Sequence, residues 1–250
     1  MKLGAQFYSI RDNTTNPEDL RASFKAMKEI GYEIVQMSAI CPIEPERLRS
    51  YSEEFSLPIV CTHSPFDRIV NDTDALIREH KIYGCPTIGL GAMGAEYRES
   101  AEGLGEFIRI LNEPIKRIRD AGLRFAYHNH AFEFNKIDGR LVYDALIEEL
   151  PELNFIIDTY WVKYAGHDYL EYIRRIGPDR IRNVHLKDML TEPQGEICHC
   201  GAGVIDFAPV VRLCDALGIE NALVEQDNAP DTGDSFGQMK LSFNSLKTLF

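Results

Sequence analysis

Short apolar runs alternate along the chain with longer stretches whose apolar positions recur every three or four residues. Leu3-Gly4-Ala5-Gln6-Phe7-Tyr8 is the first run and reads as a strand. Asn16-Pro17-Glu18-Asp19 then opens a helix, with a capping residue, a proline in the first turn and acids after it. Leu20, Phe24, Met27 and Ile30 fall on one face of that helix, and Gly31 ends it. The same alternation predicts strands at Glu33–Met37, Pro58–Thr62 and Thr87–Leu90, with helices over Pro45–Phe55, Asp72–Tyr83 and Ser100–Ala121. In the second half, strands are expected at Phe125–His130, Asn154–Asp158, Ile181–His185 and Ala222–Glu225. The intervening helices are Leu141–Leu150, Tyr169–Ile176 and Phe207–Leu217, and a last one runs from Gly237 to the C-terminus.

Strands alternating with helices make a parallel sheet. Eight such units in 250 residues point to one (β/α)8 TIM barrel spanning 1–250, since no Pro/Gly/Ser-rich linker divides the chain. A doubly wound open sheet is the alternative, but no Gly-x-Gly-x-x-Gly follows an early strand.

Composition narrows the function classes. The formal net charge of -12 argues against a duplex-DNA footprint and against an anionic membrane surface. With 44% hydrophobic residues the chain can bury a large core, yet no apolar stretch approaches the ~20 residues that span a bilayer. Met1-Lys2-Leu3-Gly4 leads straight into the first strand, and the expected location is the cytoplasm. Six cysteines do not make a disulfide scaffold at this length. Cys198-His199-Cys200 lacks the second ligand pair of a structural zinc site and reads instead as a loop near the active site. A homo-oligomer is compatible with the sequence.

The ends of the strands carry the chemistry. Phe125-Ala126-Tyr127 runs into His128-Asn129-His130, and strand alternation would point both imidazoles the same way. The next three apolar runs end in Asp158, His185 and Glu225, and His63 stands at the end of the third strand. In a barrel these positions converge on one mouth. Imidazoles with two carboxylates suit one divalent ion of the Mn, Zn, Co or Fe type. Such an ion would fix vicinal sugar oxygens and stabilise an enediolate as a proton leaves carbon next to a carbonyl. Lys187, two residues past His185, is placed to hold a substrate oxygen or phosphate, or to pair with Asp188 or a strand-end acid. Trp161 and Tyr160 could wall a sugar ring or pack under the barrel rim.

Several segments together carry a family resemblance: Tyr127-His128-Asn129-His130-Ala131-Phe132-Glu133-Phe134, Ile157-Asp158-Thr159-Tyr160-Trp161, Val184-His185-Leu186-Lys187-Asp188, Gly201-Ala202-Gly203-Val204-Ile205-Asp206 and Val224-Glu225-Gln226-Asp227. The chain resembles the xylose-isomerase-like TIM barrels, which include sugar (phosphate) isomerases and epimerases and endonuclease IV-type enzymes. The resemblance implies one divalent metal held by a glutamate, an aspartate, a histidine and a second glutamate from the last four strands. Asp158, His185 and Glu225 match three of these, and His128 stands where many epimerases have the fourth, a glutamate. Ketose epimerases exchange a proton through two metal-bound glutamates, so this chain, with Glu225 alone, would need an imidazole for any second transfer.

The expected function is a metal-dependent isomerase or epimerase acting on a sugar, sugar phosphate or keto-sugar through an enediolate. The alternative is a lyase or dehydratase on a keto-sugar or keto-glycoside. An endonuclease IV-type phosphodiesterase is disfavoured by the acidic charge. Glu225 is the expected principal acid/base, with His130 and His63 assisting at the substrate.

Overall fold

Each apolar run becomes a strand, and the eight strands share one parallel sheet in the computed structural model, which describes all 250 residues. They are β1 Lys2–Gln6, β2 Ile34–Met37, β3 Ile59–Thr62, β4 Thr87–Leu90, β5 Arg124–His128, β6 Asn154–Asp158, β7 Ile181–Leu186 and β8 Asn221–Val224. The ladder order is β3-β2-β1-β8-β7-β6-β5-β4, so the sheet curls until its two edges, β3 and β4, meet. There is no continuous ladder at that seam. Ser64 N–H donates across it to Gly89 O at 2.8 Å. The result is a nearly closed (β/α)8 barrel.

The principal helices between the strands are α1 Pro17–Ile30, α2 Pro45–Glu54, α3 Thr73–Ile82, α4 Ala101–Asp120, α5 Val142–Glu149, α6 Tyr169–Ile176, α7 Phe207–Leu217 and α8 Ser235–Leu246. Their boundaries follow the capping chemistry. Asn16 Oδ1 accepts from Asp19 N–H at the start of α1, and Gly218 in the left-handed region (φ 73°) stops α7. Helices and strands bury one continuous apolar core, with Phe7, Phe24, Phe107 and Phe155 among its fully enclosed side chains. No helix is long and apolar enough to cross a membrane.

Three expectations change. β1 stops at Gln6 because Gln6 Oε1 accepts from Tyr8 N–H, turning Phe7–Asn13 into a 3-10 helix. β5 stops at His128, since His130 N–H turns away to donate to Glu133 Oε2 at 2.8 Å. The period of two therefore does not relate His128 to His130; their rings meet edge to face, 4.8 Å apart. α8 starts at Ser235, ahead of Gly237, because Asp234 caps it by accepting from Gly237 N–H.

The seam constrains one glycine. A Cβ at Gly89 would fall 2.2 Å from the Thr62 carbonyl oxygen, a contact only backbone movement can relieve. Gly89→Ala is expected to destabilise the barrel by ~1–3 kcal/mol, read as a lower urea midpoint at unchanged m-value.

Candidate metal centre

The strand ends β5, β6, β7 and β8 are ladder neighbours in that order, which brings their terminal side chains together. The ligating atoms of His128, Asp158, His185 and Glu225 all lie within 4.8 Å of one another, and all four side chains are buried. His128 Nε2 is 3.3 Å from Asp158 Oδ2 and 3.6 Å from Glu225 Oε2. His185 Nδ1 is 2.8 Å from Glu225 Oε2 and 3.9 Å from Asp158 Oδ2. Donors each ~2.1 Å from one tetrahedral ion stand ~3.4 Å apart, so the spacing fits.

Outer partners aim these donors. His128 Nδ1 donates to Gly91 O at 3.1 Å, so its lone pair sits on Nε2, facing the two carboxylates. His185 Nε2 is held by Gln36 Oε1 at 2.8 Å, which leaves the Nδ1 lone pair inward. Asp158 is shared between two tasks. Its Oδ1 caps the short helix Thr159–Tyr164 by accepting from Trp161 N–H, and its Oδ2 faces the cluster. Asn129 Oδ1 accepts from Asp158 N–H and ties the end of β6 to the loop after β5. Four electron pairs thus converge on one buried point. These four donors could hold a metal ion, and two imidazole nitrogens with two carboxylate oxygens suit a borderline divalent one.

One cation already borders this point. Lys187 Nζ lies 3.2 Å from Asp158 Oδ2, 3.0 Å from Glu225 Oε2 and 2.9 Å from Asp227 Oδ1. Lys187 thus pairs with strand-end acids and not with Asp188, which instead accepts backbone N–H groups from Gly201, Gly203 and Ile205. That contact explains the Cys198-His199-Cys200 loop. It folds back on Asp188, with Cys198 paired to it in a short hairpin and Cys200 buried under Leu186 O.

Charge follows from these contacts. Burial opposes ionisation of Asp158 and Glu225, but the Lys187 ammonium together with the facing imidazoles, His128 at Asp158 and His185 and His128 at Glu225, outweighs it and holds both carboxyls below their ordinary values. Burial would lower Lys187, and the three facing carboxylates raise it well above its ordinary value. Burial likewise opposes a proton on His128, yet Asp158 and Glu225 raise its pKa. Burial and neighbouring imidazoles push His63 well down and His130 down to about 3.

His63 and His130 reach the same cavity, of about 450 Å³, whose wall also includes Lys187, Glu225 and Asp227. His63 Nε2 and His130 Nδ1 are buried there without a partner. Trp161 packs on His130 with ring centroids 5.2 Å apart, and Lys187 Nζ lies 5.3 Å from its ring centroid. Gln6, Gln36 and Asn129 were not singled out from the sequence; only the barrel register shows what these amides touch. Gln6 matters most, since its Nε2 donates to Glu225 Oε1 at 3.1 Å.

A family description, the xylose isomerase-like TIM barrel, matches residues 24–240. The chain belongs to this family. An inosose dehydratase from Geobacillus thermodenitrificans is 30% identical over 131 residues, covering 44% of this chain and 43% of the relative. An inosose dehydratase from Clostridium perfringens is 26% identical over 155 residues, covering 54% of this chain and 49% of the relative. The chain thus spans about half the length of these curated relatives. The crystal structure of a sugar phosphate isomerase/epimerase from Parabacteroides distasonis superposes with a TM-score of 0.80 at 22% identity, covering 98% of each chain, and establishes the shared fold.

Glu133, left without a role by the sequence, lies behind the site. It is fully buried, accepting from Tyr127 Oη and from His130 N–H. Burial pushes its carboxyl up from 4.5 to about 7, against the pull of those two donors. A carboxyl that holds its proton more tightly when folded gives stability that is full below about 4.5 and is lost as pH rises through about 7. Glu133→Gln should flatten that decline, measured as urea midpoints at about pH 5 and about pH 8.

Proposed function

We propose that residues 1–250 act as one divalent-metal-dependent enzyme domain that abstracts a proton next to the carbonyl of a sugar-derived ketone. The observation supporting this reading is the set of inward lone pairs from His128, Asp158, His185 and Glu225 at the floor of an imidazole-lined cavity. A divalent ion held by these four residues would polarise the carbonyl and offset the negative charge that develops as the proton leaves. Glu225 is the proton acceptor, kept ionised by Lys187 and aligned by Gln6. His63 and His130 face the substrate's other hydroxyls with unpartnered ring nitrogens. Trp161 backs His130, and Lys187 holds the carboxylates in place.

After proton abstraction, two outcomes share the same start. Isomerisation or epimerisation returns a proton to carbon; elimination expels a hydroxyl. Returning a proton to the opposite face calls for a second carboxylate, and His128 occupies the position where it would stand. Elimination can use one group for both transfers: Glu225 takes the proton from carbon and, once protonated, gives it to the leaving hydroxyl, which departs as water, so no second carboxylate is needed. The lyase reading is therefore the better fit, and the two inosose dehydratase relatives agree with it. The test is proton NMR in deuterium oxide with manganese-loaded protein and a panel of ketoses, keto-inositols and keto-glycosides. Loss of a hydroxyl with formation of an unsaturated ketone supports elimination. Deuterium entering at carbon beside the carbonyl without such loss supports isomerisation. Neither change across the panel would refute proton abstraction.

A further inference from the structure

The charge balance of the cavity selects its substrate. Among the side chains lining it, Lys187 is the single lysine or arginine, and its ammonium is already engaged by Asp158, Glu225 and Asp227. Three carboxylates against one ammonium leave two negative charges, which one divalent ion balances. Nothing is left over for an anionic substrate. Two arginines with partners around the mouth are committed elsewhere. Arg11 Nη1 donates to the carbonyls of Tyr8 and Asp227 at 2.8 and 2.9 Å, and Arg98 lies 3.8 Å over the Phe132 ring. Neither lines the cavity.

The unpartnered groups match hydroxyls instead. Gln6 Oε1 accepts from Tyr8 N–H, which turns Gln6 Nε2 toward His63 Nδ1 at 3.5 Å. His63 therefore carries its proton on Nε2, a buried donor with no partner. His130 Nδ1 is a second buried ring nitrogen without a partner, and no carboxylate pairs with its ring. A neutral imidazole donates through one nitrogen and accepts through the other, which suits a hydroxyl that does both. A phosphate dianion would leave water for a cavity without a spare cation, and burying an unpaired charge is costly.

We propose that this cavity takes an uncharged keto-polyol and excludes its phosphate esters. The inference rests on the proton-abstraction reading and narrows its substrate class. Trp161, the chain's one tryptophan, packs on His130 and makes its own emission the readout. Manganese-loaded full-length protein is titrated with D-fructose and D-xylulose, each against its terminal phosphate ester, and with a neutral keto-inositol. At least one neutral compound is expected to shift the emission saturably, with its ester binding at least roughly tenfold more weakly. An ester that binds as tightly as its parent, or more tightly, overturns the proposal. Deuterium exchange on the same compounds separates the two readings. If an ester exchanges and its free sugar does not, proton abstraction stands and the neutral-substrate proposal falls. If no compound binds or exchanges, both fall.

Discussion

Glu225→Gln is expected to cut turnover by roughly 10²–10⁴-fold, the usual contribution of a placed proton-transfer group. Glu225 is the one carboxylate that lines the cavity and also belongs to the donor cluster. The substitution keeps the shape of the side chain and can still accept from Gln6 Nε2, but it removes the basic oxygen. It also turns an amide NH₂ toward His185 Nδ1 and Lys187 Nζ, which now sit 2.8 and 3.0 Å from Oε2. Metal content must therefore be measured beside turnover. Loss of activity at full metal content assigns the proton transfer to Glu225; full activity at full metal content removes that assignment.

Asp158→Asn is expected to weaken divalent-metal binding by at least ~100-fold, more than loss of an outer-shell partner costs. Asparagine is chosen over alanine because Asp158 Oδ1 caps the helix that begins at Thr159, and the amide oxygen can keep that bond. What disappears is one of the two negative charges that face His128 and His185. Equilibrium dialysis against manganese reads the change without any substrate. Undiminished binding in Asp158→Asn would place the ion elsewhere.

The barrel and the floor of its mouth were legible in the sequence because both depend on local signals. An apolar run ending in an acid or imidazole marks a strand end, and four such ends in succession become neighbours once the sheet is parallel. What escaped was whatever depends on where a strand stops. Tyr8 and His130 look like strand residues by pattern, yet a side chain two or three residues away takes the backbone N–H of each and the strand ends before it. Lys187 was legible in position and as a partner of a strand-end acid, but the choice of those acids over Asp188 was not, since a loop returning from Gly201 occupies the Asp188 carboxylate. Glu133 was unreadable for the same reason: its direction is set by Tyr127 Oη, six residues back across the end of β5.

The seam between β3 and β4 divides the mouth mechanically. His128, Asp158, His185 and Glu225 stand at the ends of β5–β8, four strands each joined to the next by a parallel ladder. His63, Ser64, Leu90 and Gly91 also line the cavity and border the one junction without a ladder. Elastic give in the barrel is therefore concentrated on the wall that meets the ligand, while the donor spacing is clamped. Spreading that junction would widen the cavity without lengthening a single donor-to-donor distance.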